Sequence, residues 1–176
     1  QIQQQKEQKK QQFGAFLKQN VIRVEGKIVW DYVFEEISHY DELLSTQGKV
    51  FVQKATNANI ETVLKELADW KSKNINPRKA LADNCLNPLL RFFQLEVDID
   101  NTEVPIAVKG INGGAVPANA LSTGTKQIIL TALPLYKLQT PNSVVLFDEP
   151  ERSPFPDLQQ IIVDYYTSLA PNSQFF

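Results

Sequence analysis

The chain has 176 residues, is 43% hydrophobic and 22% charged, and carries a formal net charge of -2. That length suits one domain with a core, or one lobe of a larger domain, and the near-neutral balance gives no global electrostatic reason to expect nucleic-acid binding. One cysteine excludes an intrachain disulfide and points to a reducing compartment, and no run reaches the roughly 18 apolar residues of a membrane span, so a cytoplasmic location without a membrane partner is expected.

The chain opens on Gln1 and contains no methionine, which reads as a piece of a longer chain. Residues 1–20 form a glutamine-rich stretch with Lys6, Lys9, Lys10 and Lys18 against Glu7, four charges to one and a balance of +3. It reads as a solvated helix or tail, and Gly14 opposes a regular helix. Residues 21–115 form a mixed helical and β segment. VIRVEGKIVWDYVF (21–34) holds two β-prone runs split by Gly26-Lys27 as in a hairpin; 35–44 is ambiguous, and KVFVQ (49–53) suits another strand. Ile60, Val63, Leu64 and Leu67 share one helical face, predicting a helix over 60–72 capped by Asn57 or Asn59.

Asn76-Pro77 breaks that helix, and a second helical stretch runs over about 77–93. It contains Cys85, whose apolar neighbours favour a buried structural thiol over a nucleophile. LEVDID (95–100) and VPIAV (104–108) read as strands with a turn at Asp100-Asn101, and the glycine-rich 109–120 reads as a loop. Residues 121–138 then give an apolar helix interrupted by Pro134. SVVLFDE (143–149) has the pattern of a buried parallel strand, 156–170 that of a helix opened by Pro156, and NSQFF (172–176) that of a further strand. Helix and strand in alternation over 121–176 predict an α/β fold with a parallel sheet. The aromatic residues Trp30, Trp70, Tyr165, Tyr166, Phe175 and Phe176 are expected in the core rather than stacked on a nucleobase.

Two segments carry chemistry. An apolar strand ending in Asp148 and Glu149 puts two adjacent carboxylates where burial is costly unless they meet water or a cation. In a phosphoryl-transfer site the first acid can hold Mg2+ and the second can orient or deprotonate the attacking water. The alternative is an acidic pair opening a surface loop. The second segment, LSTGTKQ, places Ser122, Thr123, Gly124 and Thr125 before an apolar helix, where hydroxyls and backbone amides can cradle an anion. An ordinary helix cap is the alternative. Neither Gly26-Lys27 nor Gly48-Lys49 lies in a phosphate-binding loop of the G-x-x-x-x-G-K-[ST] type.

Together and in this order, the segments resemble ABC-type P-loop ATPases of the branch that includes chromosome-maintenance, recombination-repair and overcoming-lysogenization-defect ATPases. LSTGTKQ is similar to the signature motif, SVVLFDEPE to the Walker B strand with its catalytic glutamate, and ERSPFPDLQ to the D-loop and following helix. Glu151, Pro156 and Gln159 match an E-x-x-x-x-P-x-x-Q pattern of that branch. The resemblance covers 116–176 and implies a partial RecA-like, ABC-type lobe there. It implies that Glu149 is the general base, that Asp148 supports Mg2+ through water, and that Ser122, Thr123, Gly124 and Thr125 meet ATP held by a second ATPase lobe. Glu151, Arg152 and Ser153 would belong to the D-loop at a dimer interface.

The implied cofactors are ATP and Mg2+, and the implied partners are a second copy and an effector protein or DNA. The implied work is DNA maintenance or anti-phage defence. Walker A, a Q-loop glutamine and a switch histidine are missing from these residues, because His39 lies far before the signature; Ser153-Pro154 also departs from the usual D-loop. Alone, the chain is therefore expected to be inactive. A transporter nucleotide-binding subunit and a catalytically inactive scaffold are the other functions considered.

Overall fold

The computed structural model describes residues 2–18, 27–57, 59–138, 143–146 and 156–176. Most of these are helical. Helix α1 (Ile2–Phe16) packs on α2 (Lys27–Asn57), with the Phe13 ring stacked on Tyr32 at 4.0 Å and Phe13 and Phe16 buried beside Val29. α1 continues through Gly14, because the aromatic contact with α2 offsets a glycine's helix cost of about 1 kcal/mol.

α2 corrects two strand expectations. Residues 27–34 and 49–53 both lie within this 31-residue helix, while 21–26 fall outside the described residues. Val29, Val33 and Ile37 recur every four residues and are all but fully buried. That spacing makes one helical face, and its burial overrides the strand preference of β-branched residues. α3 (Ile60–Lys73) forms as expected, with Asn59 as its cap: the side chain accepts from the Glu61 amide at 3.0 Å. It lies along α2, joined by Tyr40 against Trp70 and by the Lys54–Glu66 ion pair.

The stretch 77–93 is helical but not uniform. α4 (Pro77–Leu81) gives way to a π-helical turn at Ala82–Leu86, then α5 (Asn87–Leu90) and a 3-10 turn at Arg91–Phe93. The Asn87 amide donates to the carbonyl of Ala82, five residues back. Pro88, next in the chain, has no amide to donate and would clash with the carbonyl four residues before it; the widened turn accommodates it. Arg78 is 2% exposed and makes a two-pronged contact with Asp41 of α2, at 2.8 and 3.4 Å, while its Nε donates to the Pro105 carbonyl.

An antiparallel sheet follows in the order β1 (Leu95–Val97), β2 (Val108–Gly110), β3 (Ala115–Val116). Of the strand expected over 104–108 only Val108 is in a strand, and the expected loop over 109–120 contains a hairpin. Gly113, at φ +89°, turns the chain so that Gly110 and Gly114 face each other, with the Gly110 amide donating to the Gly114 carbonyl at 2.8 Å. The Asn87 side chain accepts from the Val97 amide and so fixes β1 to α5.

α6 (Thr123–Leu138), β4 (Val144–Val145), α7 (Pro156–Leu169) and β5 (Gln174–Phe175) complete the described chain. β4 and β5 pair in parallel, as expected, through Gln174 N–H to Ser143 O and Phe176 N–H to Val145 O. α6 is not interrupted at Pro134. Pro134 is fully buried, and Leu130, whose carbonyl loses its amide partner, lies at 55% exposure where water can replace it. One apolar core joins α2, the α4–α5 segment, β1, β2, α6 and α7. The architecture is mostly helical with small sheets, compatible with an α/β ATPase-like fold. Among the described residues no helix is long and apolar enough to cross a membrane.

Candidate functional site

The Ser122 turn is a built helix start. Ser122 Oγ accepts from the Thr125 amide at 3.1 Å and shares a hydrogen bond with Thr125 Oγ1 at 2.8 Å, while the Ser122 carbonyl accepts from the Lys126 amide. This is the chemistry of a Ser/Thr cap, and it leaves the amides of Thr123 and Gly124 ahead of the helical ladder. Ser122 and Thr123 are exposed, whereas Gly124 and Thr125 are buried. The turn thus sets the exposed Ser122 and Thr123 on the solvent side at the positive end of a 16-residue helix dipole, with Gly124 buried behind them.

β4 leads toward the acidic segment, but it is less enclosed than its apolar sequence predicts. Val144 and Leu146 are 58% and 77% exposed, while Val145 packs on the core together with Phe175. Among the described residues the two-stranded sheet has only one face on the core, so the expectation of a buried parallel strand holds for Val145 and is corrected for Val144 and Leu146. Asp148, Glu149, Glu151, Arg152 and Ser153 lie outside the described residues. Among the described residues no group of three or more His, Cys, Asp or Glu side chains could hold a metal.

The aromatic expectations divide. Tyr165 and Tyr166 are 8% and 5% exposed, and Trp30 and Phe175 pack against the core, but Phe176 is 74% exposed. Cys85 is fully buried and its thiol is pushed up to about 12, mainly by desolvation, with Tyr165 and Lys137 pulling the other way. It is inert, as its neighbours predict. Burial also raises the hydroxyls of Tyr165 and Tyr166. Their partners were not legible in advance: Tyr165 donates to the Cys85 carbonyl and Tyr166 meets Thr131 of α6. Only the paired tyrosines on an amphipathic helix hinted at a polar contact inside the core, and nothing in the sequence marks Thr131.

On the acidic β1–β2 surface, Lys109 lies between Asp98 at 3.4 Å and Glu96 at 3.7 Å. Desolvation pulls its ammonium down, but Asp98 and then Glu96 outweigh it and raise it. This is a half-buried structural pairing.

No curated protein and no solved structure matches the chain. Compared with known families, residues 1–176 match the AAA ATPase domain. With that match running the full length of a chain that joins a capped helix start to a parallel strand–helix–strand unit, the protein belongs to the AAA ATPase domain family.

Proposed function

We propose that this chain is the signature-and-carboxylate part of an ABC-type ATPase, of the branch that includes chromosome-maintenance, recombination-repair and overcoming-lysogenization-defect ATPases. The observation that carries the reading is the Ser122 turn at the head of α6, followed in the chain by a strand in parallel pairing and then by Asp148 and Glu149. A family of ATPases provides the frame; the order of motifs selects the branch. In this reading residues 116–176 form part of a RecA-like lobe.

The chemistry follows from the groups. When Thr125 donates to Ser122 Oγ, the Ser122 proton is left for a phosphate oxygen, and the backbone at the head of α6 adds amide donors. Such a cradle fits the γ-phosphate of ATP held by a second copy. Asp148 and Glu149 supply hard oxygen donors of the kind Mg2+ takes, and Mg2+ there would neutralise charge on the phosphates. Asp148 would hold the ion through water, and Glu149 would accept the proton of the attacking water. Glu151, Arg152 and Ser153 would line the contact between copies. These residues contain no Walker A lysine, so the reading requires a phosphate-gripping lobe acting with them, and ATP-driven pairing would be coupled to an effector protein or to DNA.

Substitution of Glu149 with Gln in the intact protein tests the proposal. ATP hydrolysis should fall by at least about a hundredfold, while ATP binding persists and ATP-bound dimers accumulate on size-exclusion chromatography. Unchanged hydrolysis would sink the assignment of Glu149, and a wild-type protein that neither binds nor hydrolyses ATP would favour an inactive scaffold.

A further inference from the structure

The hairpin between β2 and β3 carries Asn112-Gly113 at its tip, a dipeptide with no part in the ATPase chemistry. The Gly113 amide donates to the Gly110 carbonyl at 2.8 Å, and the Gly110 amide donates to the Gly114 carbonyl at 2.8 Å. With Gly113 at φ +89°, these bonds define a short loop from Ile111 to Gly113, closed by a left-handed glycine. Residues 111–115 are all exposed, and a Cβ built on Gly113 meets nothing within 4 Å. Solvent surrounds this tip.

An asparagine followed by glycine can react with its own main chain, because no side chain on the next residue crowds the ring that forms. Hydroxide takes the proton of the Gly113 amide, and the nitrogen attacks Cγ of Asn112. The new N–Cγ bond forms as the Cγ–Nδ2 bond breaks, and the side-chain nitrogen leaves as ammonia with a proton from water. The product is a succinimide. Water opens it at Cγ to give aspartate, or at the backbone carbonyl carbon to give isoaspartate. In the second product the main chain runs through Cγ and is one methylene longer. Water is the only co-reactant.

We propose that Asn112 is a site of spontaneous deamidation, gated by the hairpin that carries it. The amide that must lose its proton is the one bonded to Gly110, so the turn opposes the first step. Reaction in the folded chain proceeds when that bond opens. The opening is local, since none of residues 110–116 belongs to the apolar core and β3 is a two-residue edge strand. Once the ring has formed, Gly113 has no amide proton and the bond to Gly110 is lost. The inference stands apart from the ATPase reading.

Its test follows the intact chain in mildly alkaline buffer, folded and, in parallel, unfolded in guanidinium chloride. The tryptic peptide of residues 110–126 is analysed by chromatography and fragmentation mass spectrometry. Conversion should appear at Asn112 and not at Asn119, as a mixture of aspartyl and isoaspartyl peptides. It should be about twofold to tenfold slower in the folded chain, the effect of one hydrogen bond on an opening equilibrium. Asn112→Gln, which would need a larger ring, should leave position 112 unmodified. Equal rates in the two states overturn the gate. A folded chain still unconverted when the unfolded one has fully reacted overturns the site. Aspartate without isoaspartate overturns the succinimide route.

Discussion

Cys85, Tyr165 and Tyr166 are protons stored in the core. Each is neutral when folded, and each has its ionisation pushed upward chiefly by burial, from 9.0 to about 12 for the thiol and upward from 10.0 for the two hydroxyls. The sign of the linkage follows. Between pH 9 and 12 the unfolded thiol has lost its proton and the folded one keeps it, so the unfolded state binds fewer protons and stability falls as pH rises. The contribution is complete below pH 9. Above its own unfolded value, each group removes about 1.4 kcal/mol per pH unit until its folded value is reached. Urea melts of the chain should give a constant unfolding free energy from pH 7 to 8.5, a decline from about pH 9, and a steeper one above pH 10 when the tyrosines join. Cys85→Ala should remove the slope between pH 9 and 10 whatever it does to absolute stability. A slope unaltered in that variant would show the thiol is not the titrating group. At this scale the sequence identified Cys85 as core from its apolar neighbours and the two tyrosines from their helical spacing. It gave no sign of Arg78, whose burial depends on Asp41 and the Pro105 carbonyl arriving from 37 and 27 residues away.

Among the elements, α3 and α7 were readable because a local pattern decides them: one apolar face, a capping Asn59 and a leading Pro156. α2 was not. Its first half is rich in Val, Ile and aromatic residues, and the four-residue spacing of Val29, Val33 and Ile37 becomes decisive only once α1, α6 and the α4–α5 segment cover that face. The second half carries Gly48 in mid-helix, where glycine is a poor helix former. A Cβ built on Gly48 meets nothing within 4 Å, so the glycine fills no steric need and only raises the entropy lost on folding. Gly48→Ala should therefore stabilise the chain by about 0.5–1 kcal/mol, a rise of about 1–4 °C in melting temperature for a domain of this size. A fall in melting temperature would mean that α2 is not continuous through residue 48.

For the molecule as a whole, the candidate site is proposed from the order of motifs, since LSTGTKQ and the Asp148–Glu149 pair are short, local and chemically distinctive, and of the two only the first lies within the described residues. What surrounds them was less legible, because it depends on contacts between segments far apart in sequence. The motif boundary at 116 divides the chain into a mixed segment and a lobe, yet a single core crosses it. Ile128, Ala132, Leu133 and Leu135 of α6 and Ile162, Tyr165, Tyr166 and Leu169 of α7 are in one cluster with Val33, Ile37, the apolar residues of the α4–α5 segment such as Leu81, Cys85 and Leu90, Val97 and Val108. A fragment of residues 116–176 would keep two helices and a two-stranded sheet but lose the surface against which those side chains are buried. Tyr165 would lose its Cys85 carbonyl as well. Small chains bury too little apolar area to offset their conformational entropy, so the fragment should show helical far-UV circular dichroism, strong binding of a hydrophobic dye and no sharp urea transition. The 176-residue chain should unfold in one cooperative step. A sharp transition in the fragment would instead make 116–176 an independent lobe, and the shared core a contact between two folded units.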